Sequence, residues 1–354
     1  SLLWHHRPEL GEGIKSVAIS SDGQYVVAGQ DDEINTGHAA VYLYAAHNGT
    51  QLWRYDTRGL VWSVATSSNG SYIVAGSWDH NVYLFSRDSE KPLWNYEARD
   101  GFRSVAISSD GQYVAAAGYS GLYMFDRRSR EPMWNYSQYG PFTAVAVSWD
   151  GQHVAAGSSG DNSFLLFRRD GAVLWRNPTK GEPLSVAISS GGQYVVAGSE
   201  GPANDIRVFA RDNTLLWNYS TGGAVVSVAI SSDDRYIMTG SADNTARLFS
   251  RDNRVPVWSK QFNNVVWSVG LSSNGESIAA GAAGSVYAYA ISTSPKLLHA
   301  MLISIADLSA IAVVAIFAYF ILVKRGRSYR LLGILLLILG ALTVLIALLH
   351  GMIT

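Results

Sequence analysis

The chain has no cysteine among its 354 residues. That excludes disulfides, iron–sulfur clusters, thiolate zinc sites, c-type haem attachment and thiol nucleophiles together. Charge is scarce: only 16% of residues are Asp, Glu, Lys or Arg, and the formal net charge is −1. The strong basic excess that general nucleic-acid binding requires is therefore absent. Catalytic signatures are missing as well. There is no Walker-type phosphate loop and no nucleophile elbow. His5, His6, His38, His47, His80 and His153 fall into neither metal-ligand spacing nor a Ser/His/Asp order. No catalytic residue, metal site or cofactor is expected.

What is present is 48% hydrophobic, 12% aromatic and rich in glycine, with 34 residues. This composition fits a turn-rich β-protein rather than a disordered chain. The charge is unevenly spread. Residues 1–295 carry 22 of the 27 basic and 27 of the 28 acidic side chains, whereas the tail holds Lys296, Lys324, Arg325, Arg327 and Arg330 against Asp307 alone. A mildly acidic portion is thus joined to a basic, very apolar one.

One phrase recurs seven times, beginning at Ser16, Ser63, Ser104, Ala144, Ser185, Ser227 and Ser268, as in SVAISSDGQYVVAG and SVATSSNGSYIVAG. The steps between copies run from 40 to 47 residues. Each copy sets two short apolar runs around Asp-Gly or Asn-Gly, a dipeptide that accepts positive φ at both centres of a tight hairpin. The fifth copy has Gly191-Gly192 and the sixth Asp233-Asp234. An alternating strand follows, such as VYLF (Val82–Phe85), then a polar turn and an apolar-Trp strand such as PLWNY (Pro92–Tyr96). Four strands at this period make one blade of a β-propeller. Seven of the eleven tryptophans hold one repeat position: Trp4, Trp53, Trp94, Trp134, Trp175, Trp217 and Trp258. Such a stripe is expected to pack between adjacent blades. The seventh copy stops after its third strand, and an unmatched Leu2-Leu3-Trp4 precedes the first. The N-terminal strand is therefore expected to complete the last blade and close the ring, which removes an open sheet edge.

The fold class expected is all-β: a seven-bladed β-propeller (1–292) closed by the N-terminal strand and followed by two transmembrane α-helices. SVAISSDGQYVVAGS and SADNTARLF (Ser241–Phe249) resemble WD40 repeats, and VYLYAAHNGTQLW (Val41–Trp53) resembles the repeat of quinoprotein-like (PQQ-like) propellers. The resemblance implies the architecture and says little of activity, since propellers host many functions. The third strands here end in Leu-Phe, Met-Phe or Tyr where WD40 repeats commonly end in Trp-Asp; Trp78-Asp79 and Trp149-Asp150 stand at other positions. Quinoprotein dehydrogenases have eight blades, calcium-binding acidic side chains and often a vicinal disulfide; this chain has seven repeats and no Cys.

Residues 293–354 read as a membrane hairpin. Two apolar stretches, about 303–323 and 331–350, are each long enough to cross a bilayer as a helix. Between them lies KRGRSYR (Lys324–Arg330), a tight basic loop that the positive-inside rule keeps in the cytoplasm. The propeller is then expected to be extracytoplasmic, and Asp307 is expected at the outer interface, in the first turn of a helix. Ser1 is expected to follow a removed or omitted segment, an export signal or another anchor.

In an up-and-down blade, the fourth-to-first and second-to-third connections share one face. The third strand of blade seven ends beside the tail, so the face bearing the Asp-Gly and Arg-Asp turns is expected to look at the bilayer. On that face Arg87, Arg127, Arg128, Arg168, Arg169, Arg211 and Arg251 sit among Asp88, Asp126, Asp170, Asp212 and Asp252, which reads as a charge-balanced rim. The opposite face carries the variable loops 30–40, 158–163 and 199–206, and loops on a rigid scaffold are where binding resides. The residue before the repeat phrase also varies there: Lys15, Trp62, Arg103, Thr143, Leu184, Val226 and Trp267. Lys15, Trp62, Arg103 and Trp267, with Trp78 and Tyr119 after second strands, are the candidate binding residues, because Trp and Arg dominate interface hot spots. Asp31, Asp32, Glu33 and Asn35 read as a solvated acidic loop rather than a calcium site, since their spacing matches no EF-hand. The function expected is a non-catalytic scaffold binding a protein or cell-surface polymer, with the hairpin in the lipid bilayer and no nucleic acid. The alternatives are a quinoprotein-like oxidoreductase using pyrroloquinoline quinone and calcium, or a sensor or assembly subunit of a membrane complex.

Overall fold

The structure is a computed structural model, and it describes residues 13–31, 39–137, 140–202, 204–272, 274–282 and 285–290. These residues form seven antiparallel sheets in chain order: blade 1 (14–57), blade 2 (61–97), blade 3 (102–136), blade 4 (142–178), blade 5 (183–220), blade 6 (225–261) and blade 7 (266–290). Blades 1–6 have four strands each and blade 7 has three, each strand pairing with the next in sequence. The all-β seven-bladed propeller is thereby established. The strand expected from Trp4, its closing role and the apolar segments 303–323 and 331–350 lie outside the described residues. Among the described residues no helix is long and apolar enough to cross a membrane.

The core lies between sheets rather than within one. Val27, Leu43 and Trp53 of blade 1, for example, pack on Val61, Ile73 and Phe85 of blade 2. Two small residues make this approach possible. The glycine next to last in the second strands of blades 1, 2, 4, 5 and 6 faces the next blade's inner strand: a Cβ on Gly29 would lie 2.7 Å from Val61 Cγ1, and one on Gly76 would lie 2.8 Å from Val105 Cγ1. The serine opening the repeat phrase crosses the same gap. Ser16, Ser63, Ser104 and Ser227 Oγ accept from the N–H of Val64, Val105, Val145 and Val269 at 3.0–3.2 Å, and Ser185 Oγ donates to Val225 O at 3.3 Å. Blade 4 has Ala144 at this position, and the neighbouring Thr143 supplies the link instead, donating to Pro183 O at 2.5 Å.

The hairpin between first and second strands differs from the tight two-residue turn that Asp-Gly implied. Only the glycine has positive φ, for example Gly23 at 69° and Gly70 at 68°, and its N–H donates to the serine three residues earlier (Gly23 to Ser20 O, 2.8 Å). The aspartate acts as an acceptor: Asp22 Oδ1 takes Ser20 Oγ–H at 2.5 Å and Gln24 N–H at 3.0 Å. A short carboxylate that binds its own backbone makes this turn more favourable than the doubly left-handed one. In blade 6 Asp233 keeps the acceptor role, while Asp234 takes the glycine's place at φ 60°.

Six inter-blade interfaces join blade 1 through to blade 7 among the described residues. At the remaining seam Val17 and Ile19 of blade 1 are each 61% exposed, whereas Val64, the counterpart of Val17 in blade 2, is 6% exposed.

Candidate functional site

The tryptophan stripe is built into the interfaces. Trp53, Trp94, Trp134, Trp175 and Trp217 donate Nε1–H to the carbonyls of Arg87, Arg127, Arg169, Arg211 and Arg251 in the next blade at 2.5–2.9 Å. Each ring also packs on the next blade's third-strand phenylalanine, as Trp53 does on Phe85 at 5.2 Å. Trp258 packs on Tyr289 at 5.3 Å. Trp4 lies outside the described residues. Four of the five arginines that accept these bonds also stack on a tyrosine of the preceding blade: Arg87 on Tyr25, Arg127 on Tyr72, Arg169 on Tyr113 and Arg251 on Tyr194, at 4.0–4.8 Å. Arg87–Asp88, Arg128–Asp126, Arg168–Asp170 and Arg251–Asp252 pair along the same rim. This face is therefore occupied with holding neighbouring blades together.

The opposite face is different. Val61 pairs with Ser77, and Phe102 with Gly118, so the starts of inner strands and the ends of second strands share one end of the blades. That register brings five of the six candidate residues into one cluster. Lys15 Nζ lies 4.7 Å and Arg103 Cζ 5.6 Å from the Trp62 ring centroid. Trp62 and Trp78 are 6.5 Å apart at 59°, and Trp78 meets Tyr119 edge-on at 5.3 Å and 87°. Trp62 Nε1 is buried with no acceptor among the described residues. Trp267 is not part of the cluster; it stands 65% exposed, without a ring partner among the described residues.

Side chains that the sequence reading passed over hold the cluster in place. Ser77 Oγ donates to Gly59 O at 2.9 Å and accepts from Asp79 N–H at 3.2 Å. Asp79 in turn accepts from Arg58 N–H at 3.0 Å, Asn81 N–H at 3.1 Å and the Tyr83 hydroxyl at 2.7 Å. Burial, with the Asp79 charge adding to it, holds the Tyr83 hydroxyl protonated well above its ordinary range. Trp78 is thus fixed from both sides in sequence. Gly101 leaves it room, since a Cβ there would lie 2.9 Å from Trp78 Cε3. Blade 6 repeats the device at Ser241 and Asp243, so a Ser-x-Asp at matching repeat positions was the available signal. Two carboxylates answer the two cations: Asp31 lies 3.5 Å from Lys15 Nζ, and Glu182 lies 3.8 Å from Arg103 Nη1.

These residues do not suit the quinone and calcium of quinoprotein dehydrogenases. Each mouth carboxylate faces a cation, and among the described residues no group of three or more His, Asp or Glu is placed to hold a metal ion. Asp32, Glu33 and Asn35 lie outside the described residues. The arrangement presents cations and aromatic edges for contact.

The fold and the repeat together define a seven-bladed β-propeller of the PQQ-like and WD40-like kind. Residues 37–198 match the family model described as outer membrane protein assembly factor BamB, and residues 213–259 match that of the WD domain, G-beta repeat. No curated protein matches the sequence.

Proposed function

We propose that this chain is a membrane-anchored, extracytoplasmic propeller that binds a protein partner, without catalysis, through the face bearing Lys15, Trp62, Trp78, Arg103 and Tyr119. The observation that carries this reading is the convergence of those side chains, drawn from three blades, into one partly exposed cluster. Trp, Tyr and Arg are the residue types that supply most binding energy at protein interfaces. The ring angles favour a protein over a surface polymer: rings crossed at 59° and 87° offer no continuous flat platform on which sugar rings would stack. Similarity to a family named for an assembly factor of outer membrane proteins supports the role of interaction scaffold.

The anchoring half of the reading rests on the apolar stretches about 303–323 and 331–350 and the basic loop 324–330. The cysteine-free chain makes it testable by single labelling. Ser328→Cys is expected to react with a membrane-impermeant maleimide only from the cytoplasmic side, and Asn95→Cys on blade 2 only from the other side. Equal labelling of both from one side contradicts the topology. For the binding half, Trp78→Ala with Tyr119→Ala is expected to remove partners that co-isolate from native membranes, while Trp149→Ala on the opposite face retains them.

A further inference from the structure

We propose that the mouth between Lys15 and Arg103 is a binding site for a carboxylate of an acidic peptide segment, and that Glu182 covers it in the free protein. The inference deepens the reading of this face as a protein-binding surface and rests on it.

Lys15, Trp62 and Arg103 hold the same register position in three consecutive blades, so two cations flank one indole. The two distances put them no more than about 10 Å apart. Neither forms a hydrogen bond among the described residues, although both have several donors. Other arginines of this protein grip their acids closely. Arg128 grips Asp126 with two donors at 2.9 and 2.6 Å, and Arg247 grips Asp243 at 3.1 and 2.7 Å. Against those pairs the 3.8 Å approach of Glu182 to Arg103 is loose, beyond hydrogen-bond reach.

Glu182 comes from the chain entering blade 5, two blades on from Arg103, and so bridges past blade 4, where Thr143 offers no charge. Its backbone is held, since Glu200 N–H donates to Glu182 O at 2.9 Å and a Cβ on Gly181 would collide with Glu200 O. Only the side chain needs to swing for Arg103 to be released. An incoming carboxylate would then exchange for Glu182 and make the charge-assisted bonds that Glu182 does not.

The ligand class follows from charge balance. Among the described residues the two cations are matched by Asp31 and Glu182, so this set of ion pairs adds no net charge to draw in a polyanion such as nucleic acid or a sulfated chain. One carboxylate replacing one carboxylate preserves the balance. The Trp78 and Tyr119 edges beside the mouth suit apolar side chains neighbouring the acid.

The test uses the full chain in nanodiscs and fluorescein-labelled hexapeptides alternating Glu with Leu, or Gln with Leu, read by fluorescence anisotropy. The acidic peptide is expected to bind about tenfold more tightly than its amide twin, the gain expected of hydrogen bonds to a charged group. Arg103→Gln and Lys15→Gln are each expected to lose a similar factor, and Arg103→Lys to recover part of it. Glu182→Gln is expected to bind several-fold more tightly, a gain that misfolding cannot imitate. Equal binding of the two peptides, or a Glu182→Gln variant that binds no better, overturns the proposal. If neither peptide binds while partner capture still depends on Trp78 and Tyr119, the carboxylate site falls and the protein-binding face stands. If that dependence fails too, both fall.

Discussion

His153 stands where blades 1, 2, 3, 5 and 6 hold Tyr25, Tyr72, Tyr113, Tyr194 and Tyr236. Its ring lies against Gly192 of the next blade, and Nδ1 is buried with no partner among the described residues. Burial, reinforced by the charge of Arg211, pushes its imidazole below the ordinary value of 6.5. The sign follows: the unfolded chain takes up the proton first, so stability present above pH 6.5 is lost as pH falls through the depressed folded value. His153→Tyr restores the aromatic face that arginines stack on in the other blades. It is expected to stabilise by about 1 kcal/mol at pH 8 and by more at pH 5, measured by thermal denaturation at both values. An equal gain at both pH values counts against the titration argument. At this scale the sequence showed which residues were unusual but not why they matter. Trp62, Trp78 and Arg103 stood out because they break the repeat. Asp79 and Glu182 did not, because a lone acid in a turn looks the same whether it holds a network or faces solvent.

The recurring Ser and Gly of the repeat phrase are devices for bringing blades together, and neither was legible as such. A one-chain pattern shows what repeats; the partner strand lies 42 residues away in the case of Ser63 and Val105, and only the fold brings it near. The replacement of Ser by Ala at 144, with Thr143 taking over the bond, shows the link to be maintained by either residue. Ser63→Ala is expected to cost about 1 kcal/mol through one lost hydrogen bond. Gly76→Ala is expected to cost roughly 1–3 kcal/mol, since its Cβ meets Val105 and Phe102 and the sheets must part. Urea unfolding measures both, with the midpoint moving and the slope unchanged. The Asp-Gly hairpins were legible in place but not in type, because the dipeptide permits either turn and Asp22 decides by binding Gln24 N–H.

At the scale of the whole molecule, the seven repeats foretold seven blades because each sheet can bury its faces only against neighbours. The two faces then divide the work. One is filled by Trp–carbonyl bonds and Arg–Tyr stacks that join neighbouring blades, with Arg–Asp pairs closing single turns beside them. The other keeps Trp78 43% exposed and cations loosely paired, a surface prepared for contact. Trp149 offers a matched control, 45% exposed but in a turn of the first face. The direct measurement is photo-crosslinking in intact membranes, with benzoylphenylalanine placed at Trp78, Tyr119 or Trp149. The account predicts a discrete protein adduct from positions 78 and 119 and none from 149. Adducts from 149 alone, or from none of the three, would contradict it.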